Sequence, residues 1–526
     1  MSVARLITLI VIALSPVCLS QTNVTPAEFL ASQPKPQFAP GHRFPLLSTW
    51  SSPFPFDLRV EMAINWGFAL AYNNDNSLDG GGLEKELANP YSIEARCVAL
   101  AARFPDKFKL QVNLDRDFPA DLPAGFYVTN AQGLFVDDHT NTWQSVTNKH
   151  YHPIVSPESP ASIWTNLAEY WAAPLRTLRA RAPVAIILNG GESGLGVSGY
   201  DRKAWQFDPR VIAALATNHL SWNRYISNCK ARQLGILAAA VRAAVPDRQL
   251  YIFYNTGNEQ NRFVRSSYGN WEDVWANWGW NSDVMNSVTD LPSFEDYYQN
   301  HGSWTNATGF KWNQLTDLLT RQLDAVGYNY SIGASNLQYG WVCGGWSSKN
   351  TNRLADISRY TGFLKCLYTS GMIGAVAGYF ASTTETNGYI FGQHGFGGSF
   401  PPDQPPHWLL QIMALARVHA LFTHLEKYLY DGDLLPGTDR HYLATDQPAY
   451  EFPTGDPAVR VLARKLRGQN EWLITAWAAD GPDRKVRVTI PILGQVEVLA
   501  RAGGSVYAAT KTGLTLVDDE VTVQGP

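Results

Sequence analysis

Three glutamates in this sequence follow short apolar segments, and carboxylates in such positions can perform acid–base chemistry. Glu192 ends the sequence Asn-Gly-Gly-Glu, directly after the apolar run 184–188. Glu259 and Glu385 follow later segments of the same kind. One carboxyl group held protonated and a second one ionised form the pair needed for a general acid working with a nucleophile or a general base. We therefore take Glu192, Glu259 and Glu385, in that order, as candidate catalytic residues.

The run 184–188 is apolar at successive positions, which is typical of a parallel strand covered on both faces. Gly190 and Gly191 permit a sharp turn, so we expect Glu192 at the carboxyl end of this strand, where α/β folds place their chemistry. The alternative is that Asn-Gly-Gly is an ordinary turn and Glu192 a surface carboxylate.

Apolar strand segments alternate with helical segments along most of the chain, which predicts an α/β fold. Eight strands are predicted, over 44–50, 68–72, 108–114, 184–188, 250–254, 283–288, 337–343 and 375–380. Helices are predicted over 57–65, 93–103, 160–181, 220–245, 314–325, 356–369 and 408–425. Eight strands that alternate with these helices predict a closed (β/α)8 TIM barrel.

The pattern changes beyond about residue 440, where short alternating strands are separated by Gly-rich turns. These strands are predicted over 459–466, 471–477, 485–490, 496–500, 505–509 and 521–523, which is typical of an antiparallel β-sandwich. The predicted organisation is a signal peptide over 1–20, a leader arm over 21–42, a catalytic barrel over 43–438 with a long insertion at 118–157, and the β-sandwich domain over 439–526.

Residues 1–20 combine one arginine with an apolar run over 6–14, which is typical of a secretory signal peptide. The run is shorter than the roughly 20 residues that cross a bilayer, and no other stretch is long and apolar enough to do so. We expect a secreted or periplasmic protein without a membrane span. Lipid modification of Cys18 stays open.

Charge and cysteine content exclude several classes of partner. The net charge of −4 argues against a nucleic-acid partner, which requires a basic face, although a local basic patch stays open. The cysteines lack Cys-x-x-Cys spacing and are expected to be mainly buried thiols, with one disulfide left open, and neither a metal nor a cofactor is predicted. His150, Tyr151 and His152 suit substrate contact or surface placement better than metal binding.

The aromatic content is high, with 18 Trp, 24 Tyr and 23 Phe, and several Trp residues are grouped locally. Aromatic faces pack on the C–H faces of sugar rings, so such groups near strand ends suit a carbohydrate cleft, although Trp residues also fill large cores. The candidate substrate-binding residues are Asn113, Asn189, Tyr254, Asn255, Trp278, Trp280, Trp341, Trp346 and Tyr379.

These features together resemble the secreted barrel-fold glycoside hydrolases of bacteria that degrade polysaccharides. In their large retaining group, the acid/base glutamate directly follows an asparagine on strand four, and the nucleophile is a glutamate at the end of strand seven. Here strand four continues as Asn189-Gly-Gly-Glu192, and strand seven ends Trp341-Val-Cys-Gly-Gly-Trp346 without a carboxylate. The specific family is therefore not assigned.

Glycoside hydrolysis needs two carboxylates, and their spacing decides the mechanism. Glu192 and Glu259 follow neighbouring strands, about 4.8 Å apart, which suits the roughly 5 to 5.5 Å of a retaining pair. Glu385 would face Glu192 across the opening. The acids after strand six, Asp290, Glu295 and Asp296, form a reserve set.

The resemblance implies hydrolysis of a plant or algal polysaccharide or its oligosaccharides. A non-catalytic barrel that binds carbohydrate is the alternative, because strand seven lacks its carboxylate. A polysaccharide lyase is a third possibility, but it requires a Tyr or His base with basic residues around a uronate.

Overall fold

The structure is a computed structural model, and it describes residues 22–50, 54–72, 82–114, 122–137, 140–145, 154–189, 202–253, 263–265, 271–273, 282–292, 295–298, 304–305, 311–312, 314–344, 357–379, 395–437 and 449–518. Its helices are α1 Pro26–Ser32, α2 Phe56–Asn65, α3 Gly82–Ala88, α4 Ile93–Arg103, α5 Ala161–Arg181, α6 Arg202–Trp205, α7 Pro209–Asn218, α8 Trp222–Ala244, α9 Ser282–Met285, α10 Gln314–Ser331, α11 Ile357–Ser370, α12 His407–Thr423 and α13 Glu426–Tyr430. Its strands are β1 Ser48–Trp50, β2 Leu70–Ala71, β3 Leu110–Leu114, β4 Phe135–Val136, β5 Thr142–Trp143, β6 Val184–Asn189, β7 Leu250–Phe253, β8 Phe263–Arg265, β9 Trp271–Asp273, β10 Glu295–Tyr298, β11 Trp304–Thr305, β12 Lys311–Trp312, β13 Gln338–Gly344, β14 Met372–Tyr379, β15 Gly432–Leu434, β16 Val459–Leu466, β17 Glu471–Ala478, β18 Arg484–Ile490, β19 Gly494–Ala500, β20 Ser505–Thr510 and β21 Gly513–Asp518.

Two four-stranded parallel sheets form the main body. Their strand orders are β2-β3-β6-β7 and β1-β14-β13-β10. All residues of β3 and β6 are buried, which explains why these strands appear in the sequence as apolar runs rather than as alternating patterns. The predicted α/β class with parallel strands and intervening helices is confirmed.

The two faces of each sheet are covered differently. Leu110, Val112 and Leu114 of β3 pack in a hydrophobic cluster with helices α4, α5 and α8. A second cluster consists of residues from the strands and their flanking segments, and it contains Ile186 and Leu188 of the first sheet as well as Trp341 and Val376 of the second. We call this second cluster the strand-lined interior. Because side chains alternate along a strand, it shows which residues point inward.

Backbone hydrogen bonds connect the two sheets, or the segments that flank them, at two places. On one side Leu47, just before β1, accepts a hydrogen bond from the backbone N–H of Ala69 at 2.8 Å and donates to Gly67 at 2.9 Å. On the other side Asp290 donates its backbone N–H to Tyr251 of β7 at 2.8 Å. Two residues further on, the carbonyl of Pro292 accepts from Tyr339 of β13 at 3.1 Å. The segment before β10 thus bonds to a strand of each sheet.

The prediction of a sixth strand over 283–288 is wrong. This segment forms helix α9 and a 3-10 turn over Asn286–Val288, and the strand at this place in the order is β10, Glu295–Tyr298. The apolar residues Val284 and Val288 are four positions apart, a spacing that fits one face of a helix as well as one face of a strand. Asp283 in the first turn also favours a helix amino terminus.

The segment predicted as a leader arm contains helix α1. Thr25 caps it in a reciprocal capping box with Glu28, and Pro26 occupies its start. Phe29 and Leu30 are buried against the main hydrophobic core. Ser159 precedes α5 without capping it, because its hydroxyl donates to the carbonyl of Phe126.

The C-terminal strands form antiparallel sheets, as predicted. One sheet has the order β15-β16-β17-β20-β21, and the hairpin β18-β19 packs against one face of it. The opposite face of the five-stranded sheet contacts the helices of the main body, where Leu473 and Trp477 join the main core. Strand β21 and strand β15 were not predicted, whereas the strand predicted over 521–523 lies outside the described residues.

Arg464 of β16 holds this face of the C-terminal sheet to the main body. Its buried guanidinium donates to the carbonyls of Tyr428 at 2.7 Å and Thr369 at 3.2 Å, and to those of Leu429 and Gly432 at 3.3 and 3.1 Å. The carbonyls of Thr369, Tyr428 and Leu429 lie in the last turns of α11 and α13, where backbone acceptors lack helical partners, and Gly432 begins β15. The Arg464 side chain therefore supplies hydrogen-bond donors to backbone carbonyls at the ends of two helices.

Replacing Arg464 with Met is expected to lower the free energy of unfolding by about 3 to 5 kcal/mol, because it removes the donor from four buried carbonyls. Arg467→Met is the control, since Arg467 is exposed, pairs with the exposed Asp433 and donates to the carbonyls of Tyr430 and Gly432 at 3.2 and 3.4 Å. That control is expected to change stability by less than about 0.5 kcal/mol. Urea unfolding followed by tryptophan fluorescence measures both variants, and equal stability of the two would contradict this role.

Candidate active site

The carboxyl ends of the parallel strands lie at one edge of each sheet. Asn189, the last residue of β6, is in register with Leu114 of β3 and with Phe253 of β7. In the second sheet, Gly344 of β13 is in register with Tyr379 of β14. Within each sheet, the last residues of these neighbouring strands are therefore paired, so that the strands end at the same height.

The three candidate catalytic residues follow these strand ends. Glu192 comes three residues after the end of β6, and Glu259 and Glu385 come six residues after the ends of β7 and β14. All three lie outside the described residues, as do Tyr254, Asn255, Trp278, Trp280 and Trp346. Tyr379 ends β14, but its side chain is outside the description. The roles assigned to these residues stay predictions.

Asn113 lies on the inner face of β3. Its neighbours Val112 and Leu114 pack against helices, so alternation directs Asn113 and Gln111 toward the strand-lined interior. The Oδ1 atom of Asn113 accepts a hydrogen bond from Nε2 of Gln111 at 2.9 Å. Both side chains are buried. Asn113, one of the candidate substrate-binding residues, is thus a buried amide on the interior face, one residue before the end of β3.

Gln111 was not recognised from the sequence, although the structure makes it the polar centre of this region. Its Oε1 atom accepts from the backbone N–H of Thr49 at 2.8 Å, and its Nε2 atom donates to the carbonyl of Thr49. The side chain of Gln111 thereby takes the place of a strand partner for β1. The signal was a polar residue two positions before Asn113 in the otherwise apolar strand β3, which is the spacing of one sheet face.

Asn189 lies on the opposite face from Asn113. Its neighbour Leu188 belongs to the strand-lined interior, and its Nδ2 atom donates to the hydroxyl of Tyr251 at 3.0 Å. Tyr251 packs in the cluster of the helices, and burial raises the pKa of its hydroxyl. The described contact of Asn189 therefore anchors the end of β6 to β7 on the helix-facing side.

Trp341 lies within the strand-lined interior and is 2% exposed. Its ring meets that of Trp50 edge-on, with centroids 5.8 Å apart. In the same interior, the hydroxyl of Tyr339 donates to the carbonyl of Leu46 at 2.8 Å and lies 2.9 Å from the hydroxyl of Ser48. The ring of Trp341 is thus packed between strands, and its role in binding stays a prediction.

Asp290 of the reserve set has ion-pair partners. Its carboxylate accepts from Nε of Arg242 at 2.8 Å and from Nε of Arg248 at 3.0 Å. The backbone N–H of Tyr251, near the start of β7, also donates to it at 2.8 Å. Asp290 therefore holds the segment before β10 to β7 and α8, away from the strand ends. Glu295 and Asp296 lie within β10 rather than after a strand.

The long insertion predicted over 118–157 contacts the segment that follows β6. Arg210, at the start of α7, donates to the carbonyls of Gly125 and Tyr127, each at 2.8 Å. Its guanidinium is oriented by the buried carboxylate of Asp208, 2.9 Å away. Since the insertion follows β3 and α7 follows β6, these contacts join two segments that leave the same edge of the sheet.

Thiols and possible metal ligands in the described part of the chain give no sign of a cofactor site. Cys97, Cys229 and Cys366 are free and buried, and burial raises the pKa of Cys97 and of Cys229 to about 11. Among the described residues, no three His, Cys, Asp or Glu side chains are grouped so that they could hold a metal ion. His150, Tyr151 and His152 lie outside those residues.

Comparisons with known proteins give low similarity. No protein-family model and no curated protein matches the chain. Among solved structures it is similar to a glycoside hydrolase family 30 subfamily 8 xylanase from Clostridium acetobutylicum, with 10% identity, a TM-score of 0.36, and 87% of this chain and 85% of that chain covered. It is also similar to an α-amylase from Geobacillus thermoleovorans, with 12% identity, a TM-score of 0.36 and 81% of each chain covered. A third similar structure is the galactosidase domain of an α-galactosidase–sucrose kinase, with 10% identity and a TM-score of 0.41. The match covers 86% of this chain and 48% of that chain. These solved neighbours are glycoside hydrolases.

Proposed function

We propose that this protein is a glycoside hydrolase that uses a pair of carboxylates at the carboxyl ends of its parallel strands. The observation that carries the proposal is the level register of the strand ends that precede the candidate acids. Asn189 of β6 and Phe253 of β7 are paired, so the segments bearing Glu192 and Glu259 start side by side. Covalent geometry keeps Glu192 within about 11 Å of the Cα of Asn189.

We also propose that the two parallel sheets form one closed eight-stranded barrel. The backbone hydrogen bonds at Leu47 on one seam and at Asp290 and Pro292 on the other support closure, as does the interior cluster with residues from both sheets. In such a barrel, β6 and β14 are four strands apart. Glu385 would then approach Glu192 from across the opening, whereas Glu259 would approach it from the adjacent strand.

The proposed substrate is a plant or algal polysaccharide or its oligosaccharides, and the proposed location is outside the cytoplasm. The signal-like sequence at 1–20 supports export. No helix in the described part of the chain is long and apolar enough to span a membrane. Interior aromatic residues such as Trp50 and Trp341 lie between the strands whose ends would form the cleft.

A carbohydrate-binding barrel without catalysis is the second candidate. It is favoured by the sequence 341–346 at the end of β13, which contains no carboxylate. Binding of a glycan without release of products would support this candidate. A lyase would instead produce unsaturated uronate ends, which absorb ultraviolet light.

Incubation with xylan, starch, agarose, cellulose, pectin and alginate is expected to release reducing ends from at least one of these glycans. Reducing-end release is assayed together with absorbance at 235 nm in the same samples. Heat-denatured protein provides the control. Product release with rising absorbance would indicate a lyase, and binding to a glycan without any product would indicate the non-catalytic barrel.

A further inference from the structure

The hydrogen bonds of Thr49, Gln111 and Asn113 fix the orientation of two side-chain amides. The backbone N–H of Thr49 can only donate and its carbonyl can only accept. Gln111 must therefore direct Oε1 to the N–H and Nε2 to the carbonyl, as the structure has it. A reversed Gln111 amide would place its NH2 group against the N–H of Thr49, donor against donor. It would also place its oxygen against the carbonyl of Thr49, acceptor against acceptor.

The fixed amide of Gln111 in turn orients Asn113. The second hydrogen on Nε2 of Gln111 is donated to Oδ1 of Asn113 at 2.9 Å. Because only an oxygen can accept this bond, the Nδ2 group of Asn113 must point elsewhere. The backbone of β1 thus determines, through two amides, which end of Asn113 is free.

Among the described residues, none forms a hydrogen bond with the Nδ2 group of Asn113, although Asn113 is only 2% exposed. Buried amide groups are nearly always paired, because an unpaired donor has lost its water without compensation. Asn113 lies one residue before the end of β3 and faces the strand-lined interior. A donor that is buried, oriented and unpaired at this end of a parallel strand is suited to meet a ligand.

We propose that the Thr49–Gln111–Asn113 relay presents Nδ2 of Asn113 as a hydrogen-bond donor to an acceptor oxygen of a sugar hydroxyl bound at the strand ends. This inference rests on the proposed function. It adds the direction of one hydrogen bond, in which the protein donates and the sugar accepts. Asn113 is the binding residue. Gln111 is a positioning residue, because it acts only by holding the amide of Asn113 in one orientation.

A purely structural role for Asn113 explains less. Accepting one hydrogen bond from Gln111 uses Oδ1 alone, and the buried Nδ2 group would then reduce stability without any return. Buried polar groups without a hydrogen-bond partner are expected at ligand-binding sites, where the ligand supplies the partner.

The sharpest test is Asn113→Asp, which keeps the size of the side chain and an acceptor for Gln111 but turns the free donor into an acceptor. Binding is measured by isothermal titration calorimetry with the hexasaccharides of xylan, amylose, agarose and cellulose. We expect roughly tenfold or greater weakening of the Kd for the hexasaccharide that binds the unaltered protein. Asn113→Ala, which removes the donor without adding a carboxylate, is expected to weaken it by about three- to tenfold.

Asn329→Asp is the matched control. Asn329 is also buried, and its Oδ1 also accepts from a second amide, that of Asn286 at 3.1 Å, but it lies in α10, near the helix end that precedes the amino end of β13. Its variant is expected to bind as the unaltered protein does. Equal weakening in both variants would show that a buried carboxylate alone causes the loss, and it would overturn the inference.

Gln111 is tested by a double-mutant cycle. Gln111→Met is expected to weaken binding in the presence of Asn113 and to have no further effect in Asn113→Asp, because its influence passes through that amide. Additive losses would overturn the positioning role. Unchanged affinity in Asn113→Ala and Asn113→Asp, or no hexasaccharide binding to the unaltered protein, would overturn the proposed contact. Binding that depends on Asn113 without any hydrolysis would instead support the contact and reject the hydrolase.

Discussion

Glu192→Gln is expected to reduce turnover of the identified glycan by about 10² to 10⁴-fold while leaving the fold and the Kd nearly unchanged. The substitution keeps the shape of the side chain but removes a group that can donate a proton to the leaving oxygen and later accept one from water. The loss should appear in kcat more than in KM, because proton transfer occurs in the transition state.

The control for this variant is Glu158→Gln. Glu158 precedes α5 and accepts a hydrogen bond from the hydroxyl of Tyr225, so it is a carboxylate with a described structural contact. We expect its variant to keep nearly full activity. If Glu192→Gln hydrolyses the glycan at the unaltered rate, Glu192 is not the proton donor.

Separate truncation of Glu259 and Glu385 to Ala is expected to abolish turnover in one variant and to leave the other active. The affected residue is the partner of Glu192, and its loss should cost on the order of 10³-fold or more if it is the nucleophile. Added azide should restore activity only in the variant that lacks a nucleophile, because the small anion can attack in place of the missing carboxylate. Proton NMR of the newly released sugar, recorded before its anomers equilibrate, shows whether the anomeric configuration is retained or inverted.

Glu259 would follow the strand next to Glu192 and predicts retention of the anomeric configuration, since a gap of roughly 5 to 5.5 Å suits a covalent intermediate. Glu385 would approach from across the opening and allows either that gap or the roughly 6.5 to 9.5 Å of an inverting pair. Two close carboxyl groups also titrate as a pair, so the pH–rate profile should be bell-shaped and lose its upper limb in Glu192→Gln. Full activity in both truncated variants would reject the two-carboxylate scheme.

Several elements could be predicted from local patterns because their physical cause is local. Helix α4 was predicted with the bounds Ile93–Arg103 that the structure has, and Ser92 caps it by accepting from the backbone N–H of Ala95. Strand β16, Val459–Leu466, was also predicted with its observed bounds. The runs 108–114 and 184–188 were recognised because both faces of those strands are buried.

Local patterns misplaced the elements whose context is tertiary. The strand β10 is short, and it was missed because the neighbouring segment 283–288 has apolar residues that also fit a strand. The sequence predicts an arm where helix α1 lies, although Thr25 and Glu28 form a capping box there. What stabilises α1 is burial of Phe29 and Leu30 against residues far along the chain, which no local window contains.

Residue types and spacing by themselves established the alternation of strands and helices, the change to antiparallel strands after residue 440, and the polar positions at strand ends. They also placed Asn113 and Asn189 in one group of candidate ligands, because both are asparagines at the end of an apolar run. The folded chain separates the two. Asn113 faces the strand-lined interior with a donor that no described residue accepts, whereas Asn189 faces the helices and its Nδ2 atom donates to Tyr251. This difference depends on which strands and helices cover each face, and on the bond from Gln111 to Thr49, 62 residues away. Such contacts arise only when distant segments pack together, so no pattern within one segment could reveal them.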